Sequence, residues 1–254
     1  MATYKKRGGR PKNKVEQQSK LEEGSATAEV FNTLDQGANK AEEWVARNQK
    51  YIFGVIGVVA LGILGFLGYN TYIQAPKEAK AMNAMFQAQS YWEQASTATT
   101  KDSLYNLALK GGNGQYGFEE IIDKFGGTDA GNLANYYAGI AYLQTGDYNN
   151  AINSLKAFST DDEVLGPQAK GGIGDAYAAL EDYSQALDNY KQAANMNEND
   201  YSTPKYLLKA GMAAIEAGQY GEAVTLLSRL KDNYPNAAEY QQAEIFLGQA
   251  EAMQ

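Results

Sequence analysis

Cysteine and histidine are both absent from this chain of 254 residues. Their absence excludes disulfides, thiol chemistry, zinc fingers and imidazole catalysis. A lack of cysteine fits an oxidising compartment as well as a reducing one, so it does not place the protein. A Walker-type phosphate loop, GxxxxGKS or GxxxxGKT, is missing as well. So is the carboxylate spacing of an EF-hand calcium loop. Adjacent acidic residues do occur, at Glu119-Glu120 and at Asp161-Asp162-Glu163. Neighbours in sequence point in different directions, whereas general acid–base work needs carboxyls held across a cleft with separated pKa values. With no catalytic constellation, the chain reads as a non-enzymatic protein without cofactor or metal.

Long apolar runs are equally scarce, and the one present organises the chain. Residues 51–69, YIFGVIGVVALGILGFLGY, carry no charge, and NTYI extends them to residue 73. A bilayer core takes about 20 apolar residues as a helix. A single segment in hydrocarbon satisfies its backbone only by coiling into one. Residues 51–73 therefore read as a transmembrane helix. A cleaved secretory signal has a short leader and an apolar core of about 7–15 residues. Here fifty residues come first, and Gln74-Ala75-Pro76-Lys77 is a poor cleavage context. The run reads as a retained anchor.

Charge divides across it. Residues 1–50 hold ten Lys/Arg and seven Asp/Glu, net +3, and residues 74–254 hold twelve and 23, net −11, which together give the −8 of the whole chain. Positive-inside bias puts the basic tail in the cytoplasm and the acidic part on the far side. Residues 4–14, YKKRGGRPKNK, have nothing to bury and read as part of a disordered tail spanning 1–26. Its charges suit lipid headgroups. Gly9-Arg10-Pro11 looks like the centre of an AT-hook, but a single copy makes nucleic acid a weak reading beside lipid or ribosomal RNA. Over 27–50, Val30, Phe31, Leu34, Ala38, Ala41 and Val45 recur at helical spacing, an amphipathic lead-in interrupted at Gly37. Trp44 and Tyr51 suit the headgroup boundary.

Within the span, Gly54, Gly57, Gly62, Gly65 and Gly68 fall in one sector of about 140°, taking about 100° per residue. Glycine is common in membrane helices; clustered on one face, it also lets a second helix approach closely, whether a copy of this chain or another membrane protein.

Residues 74–131 read as a helical connector with a degenerate first repeat. Ala79, Met82, Met85, Phe86, Ala88, Tyr91 and Trp92 are the expected buried side of a long helix. Gly112-Asn113-Gly114-Gln115-Tyr116-Gly117 is a literal GxGxxG. That fingerprint has meaning only between a strand and a helix of a βαβ unit. The surrounding pattern is helical, so a glycine-rich loop capping a short helix over 118–125 is the reading here.

Self-similarity dominates residues 132–254. Three segments, 132–165, 167–200 and 204–236, each place a glycine in a first helix, at Gly139, Gly174 and Gly211. A turn follows each, with Tyr148, Tyr183 and Tyr220; then an alanine twelve residues after the glycine, at Ala151, Ala186 and Ala223; then Leu155, Tyr190 and Leu227 four further on. The glycine spacing is 35 and then 37 residues. The small residues predict where two helices cross most closely. Residues 239–252 predict a terminal capping helix. This pattern resembles the tetratricopeptide repeat, whose period is about 34 residues. With the apolar run 51–73, the resemblance implies an all-α fold, one transmembrane helix followed by a tetratricopeptide-repeat helical solenoid. It also implies a concave face for protein partners, lined by Tyr136, Ile140, Leu143, Gln144, Asp175, Lys205, Leu208, Lys209 and Met212. Lys205 and Lys209 match basic positions of the family's carboxylate clamp. Tyr136, Ile140 and Gly172 stand where the clamp needs Lys and Asn, which argues against a C-terminal carboxylate ligand and for an extended, moderately apolar segment.

The whole arrangement of basic tail, single span and far-side repeats resembles the YfgM family, accessories of the bacterial Sec translocon that work with the membrane-anchored periplasmic chaperone PpiD. That resemblance implies a non-enzymatic scaffold or co-chaperone in the bacterial inner membrane. Its N-terminus would be cytoplasmic and its repeats periplasmic, meeting Sec translocon subunits, a PpiD-like chaperone and emerging polypeptides. The other classes are a scaffold for a different envelope assembly, such as cell division, cell wall or secretion, and a membrane-tethered nucleic-acid or ribosome binder acting through 4–14.

Overall fold

The computed structural model describes residues 26–254; residues 1–25, with the basic stretch 4–14, lie outside the described residues, as does the side chain of Phe31. The chain divides into two units, Met1–Tyr69 and Asn70–Gln254.

Among the described residues, the first unit holds one helix, α1, Ala26–Tyr69. It runs unbroken through Gly37 and across the residue 50/51 boundary between amphipathic lead-in and apolar run. None of its described side chains is buried. Phe53, Ile56, Leu61, Leu64 and Phe66 are all more than half exposed. In water such a surface is unsustainable, since each large apolar side chain forgoes about 1.5–3 kcal/mol of burial. Among the described residues this is the one helix long and apolar enough to cross a membrane, with a mean hydropathy of 2.3 in its best window.

The second unit opens with a five-residue π-helix, Asn70–Gln74. Then come α2 (Ala75–Thr97), α3 (Lys101–Lys110), α4 (Phe118–Phe125), α5 (Asp129–Gln144), α6 (Tyr148–Ala157), α7 (Leu165–Ala179), α8 (Tyr183–Met196), α9 (Thr203–Glu216), α10 (Tyr220–Asn233) and α11 (Tyr240–Ala252). Among the described residues there is no strand, only an isolated bridge between Gly112 and Gln115. That bridge closes a tight turn in which Asn113 and Gly114 have φ of 55° and 75°. Gly117 then caps α4 in extended conformation. The GxGxxG is thus a loop before an eight-residue helix, with no βαβ context to hold a pyrophosphate.

α2 differs from expectation on one side. Met85 and Ala88 are buried and Tyr91 and Trp92 half-buried, but Ala79 and the large side chains Met82 and Phe86 are exposed. The buried face runs through Ala81, Met85, Ala88 and Ala95. The helix carries two apolar stripes, and α3, α4 and α5 cover only one of them.

From α5 to α10 the chain runs as three pairs of first and second helices, each pair joined by an equivalent turn. Each first helix ends on a left-handed residue: Gly146 (φ 78°), Glu181 (61°) and Gly218 (72°). The next amide donates back across the turn, Asp147 N to Tyr142 O (2.9 Å), Asp182 N to Tyr177 O (2.9 Å) and Gln219 N to Ala214 O (2.8 Å). This Schellman closure satisfies carbonyls that the helix end leaves open. Asp147 and Asp182 then cap the second helices, accepting from Asn150 N (3.3 Å) and Gln185 N (3.1 Å). Each second helix starts on its tyrosine: Tyr148, Tyr183 and Tyr220. The core is a succession of clusters along the chain, one across α2 to α5, one across α5 to α7, one across α8 to α11. Neighbour-only packing is the energetic signature of a solenoid.

Candidate protein-interaction surfaces

The repeat register is written in close contacts. A Cβ placed on Gly139 would lie 2.5 Å from Leu155 Cγ, one on Gly174 2.6 Å from the Tyr190 ring, and one on Gly211 2.6 Å from Leu227 Cγ. Ala151, Ala186 and Ala223 are fully buried beside them. In each repeat the large residue of the second helix therefore seats on the glycine of the first, as their spacing predicts.

The first-helix residues expected to face a partner have unequal access. Ile140, Leu143, Asp175, Lys209 and Met212 are half-buried, and Gln144 and Lys205 are exposed. Tyr136 and Leu208 are buried, at 7% and 6% exposure, so each supports the surface from beneath. The Tyr136 ring lies 5.3 Å from that of Phe158, and its hydroxyl donates to Gln168 Oε1 at 2.7 Å. Burial first, then the neighbouring Tyr137, push its pKa up to about 12. Ile140 and Leu143 lean over Gly172, where a Cβ would come within 3.6 Å and 3.3 Å of their terminal carbons. A side chain there would also meet Leu155 Cδ1 at 2.9 Å, so an asparagine of the carboxylate-clamp type requires these side-chain ends to shift.

Asp175 is brought together with Lys209, whose ammonium donates to Asp175 Oδ1 at 2.6 Å. The Tyr190 hydroxyl donates to the same oxygen at 2.6 Å. Burial and the Asp175 charge hold the Tyr190 hydroxyl well above the usual tyrosine range. Lys209 is thus committed to its neighbour helix and is not a free anion-binding cation. Lys205 stands apart, with Nζ 5.4 Å from the Tyr206 ring centre.

Sequence reading missed the bonds that join one repeat to the next. Tyr136–Gln168, Lys191–Glu222, Asp175–Lys209 and Asn195–Arg229 are separated by 32, 31, 34 and 34 residues. Arg229 also reaches Glu198 at 2.6 Å. A search for polar pairs one to six residues short of the 35–37-residue period would have found them, because stacked helices bring positions about one turn apart in register into contact.

The paired carboxylates have structural partners. Glu119 accepts from the Tyr142 hydroxyl at 2.8 Å, and Glu120 pairs with Lys124 at 3.5 Å. Asp162 accepts from the Leu165 and Val164 amides, both at 2.8 Å, which hold its carboxyl below the usual range. On α1, a Cβ at Gly54, Gly57, Gly62, Gly65 or Gly68 would meet nothing within 4 Å.

The tetratricopeptide repeat family model matches residues 136–194 and 172–238, two overlapping spans that run from within α5 through α10. None of the curated proteins compared matches the chain. The stacked pairs are tetratricopeptide repeats, and they define a protein-interaction module preceded by one long apolar helix.

Proposed function

We propose that this protein is a non-enzymatic, membrane-anchored scaffold whose repeats hold protein partners on the far side of a bacterial inner membrane, as an accessory of the Sec translocon. The observation that carries the reading is the pairing of one apolar, unburied helix with a repeat module of opposite charge to the tail: net +3 before the run and −11 after it. The span is retained, the tail is cytoplasmic and the repeats are periplasmic. The glycine face of α1 receives a partner helix, either a second copy or a translocon subunit. The first-helix surface at Ile140, Leu143, Gln144, Lys205 and Met212 takes an extended, moderately apolar segment, from a PpiD-like chaperone or an emerging polypeptide.

A photo-crosslinking residue at Gly57 or Gly65 in cells tests this. Recovery of a translocon subunit is the expected result; recovery of a different envelope complex alone contradicts the translocon assignment and favours a scaffold for that assembly. Protease added to spheroplasts should digest the repeats, and their protection would reverse the orientation.

A further inference from the structure

Two loops, each leading from a second helix into the next first helix, enclose a groove of about 430 Å³. Glu163 and Val164, just before α7, line one side, and Asn199 to Ser202, just before α9, line the other. The lining is mostly apolar, and Val164 and Tyr201 are 49% and 74% exposed. Both loops are held from within. Asp162 fixes the Val164 and Leu165 amides, and Asn199 Oδ1 accepts from the Tyr201 and Ser202 amides at 2.9 Å and 2.7 Å. The groove is therefore formed before any ligand arrives, which lowers the ordering cost of binding.

Its charge is of one sign. Every residue lining the groove is acidic or uncharged. Glu163 and Asp200 are exposed, and neither has a cation partner among the described residues. Nearby Glu198, by contrast, is paired with Arg229. Lys205, one turn beyond Tyr201, lies over the Tyr206 ring and does not line the groove. A metal ion does not fit the pair: among the described residues no group of three or more acidic side chains could hold one, and hard cations take about six or more oxygens. A lysine or arginine does fit, because its stem packs on apolar surface while its charge reaches carboxylates, and a guanidinium stacks on tyrosine.

The groove also continues in both directions. Asp200 lines a second groove of about 160 Å³ with Asn233, Tyr234 and Pro235, before α11. Gln168, which lines the first groove, lies one turn before Gly172, over which Ile140 and Leu143 lean, so the groove adjoins the first-helix surface. This continuity suits an extended segment better than a lone small cation. A second copy of an acidic unit would bring like charges together here.

We propose that this groove takes a lysine or arginine side chain of the segment held by the repeats, its charge at Glu163 and Asp200 and its stem on Val164 and Tyr201. This rests on the first-helix surface holding an extended segment. The preferred partner then carries a basic residue beside apolar ones.

A randomised library of octapeptides with both ends blocked, displayed on beads, is probed with the labelled full chain in nonionic detergent, and bound beads are sequenced. Lysine or arginine beside leucine, isoleucine, valine or phenylalanine should be enriched. Glu163→Gln with Asp200→Asn should weaken binding of an enriched peptide about fivefold, as the loss of two partly exposed ion pairs predicts. The apolar enrichment should remain. Asp123→Asn with Glu251→Gln removes the same charge from exposed positions elsewhere and should change neither. The inference is overturned by apolar enrichment without basic enrichment. It is overturned equally if basic enrichment survives the Glu163 and Asp200 changes or falls as much with those at Asp123 and Glu251. Each of these results leaves the first-helix surface as a peptide site. No enriched peptide at all overturns that reading and the inference with it. A synthetic peptide of residues 4–14 bound as tightly as the enriched ones gives the groove to the chain's own basic tail and overturns the inference. A full chain that sediments as a dimer, and as a monomer once Glu163 and Asp200 are changed, gives it to a second copy and does the same.

Discussion

A methyl group added at Gly54, Gly57, Gly62, Gly65 or Gly68 of the apolar helix would touch nothing within 4 Å, whereas one added at Gly139, Gly174 or Gly211 in the repeats would press within 2.5–2.6 Å of Leu155, Tyr190 or Leu227. The same residue type thus makes a close contact in one region and meets open space in the other. In the repeats the close approach is already made by the chain's own second helix. In α1 the small face is open, and the helix partner proposed for it would come from outside the chain.

Substitutions separate the two regions, and the largest effect belongs to the repeats. Leu227 is fully buried on Gly211, so Leu227→Ala should cost about 2–5 kcal/mol by cavity formation. Urea unfolding of the full chain in detergent, followed by circular dichroism, reads this. Gly211→Ala alone should cost about 1–3 kcal/mol through overpacking, even against a gain of about 1 kcal/mol in helix propensity. The double variant should cost less than the sum, because the added methyl enters the space that the leucine vacates. Strict additivity would show that the two residues do not share a contact.

Alkaline pH should loosen the repeats next. Burial raises the hydroxyl pKa of Tyr136, Tyr142, Tyr190 and Tyr206, that of Tyr136 to about 12. A raised folded-state pKa keeps its full stabilisation below the unfolded value of about 10, and loses it as pH rises, because only the unfolded chain gains by ionising. The urea midpoint should therefore hold to pH about 10 and fall steeply towards 12. A flat profile would place these hydroxyls in water.

A smaller effect, of opposite sign, belongs to the second turn. Glu181 takes the left-handed conformation that glycine takes at 146 and 218. Glu181→Gly should raise stability by about 0.5–1 kcal/mol, relief of strain outweighing added unfolded-state freedom. Smallest of all, Gly62→Ala should leave the unfolding midpoint unchanged while reducing recovery of the span's crosslinked partner. Loss of folding stability there would mean that the face is already used within the chain.

Sequence alone exposed the repeats because close helix crossing demands a small residue at a fixed register, and Gly139, Ala151 and Leu155 recur as a set. The apolar helix was equally plain, since 51–69 has no charge to bring indoors. Which stripe of α2 is buried was not legible: Ala81 and Met85 differ from Ala79 and Met82 only by what α3 to α5 happen to cover. Nor was the burial of Tyr136 and Leu208, which depends on the adjacent repeat. The left-handed backbone of Glu181 is legible only through the repeat register, since glycine marks that position in the other two turns while glutamate itself does not favour it. GxGxxG showed the converse error, a motif whose letters match while its strand is missing.

Carbonate extraction of membranes, with peptide mapping of the N-terminal region, tests the anchored scaffold most directly. A retained span predicts the chain in the carbonate-resistant pellet with residues before 51 still attached. A carbonate-soluble chain beginning after residue 73 would contradict it.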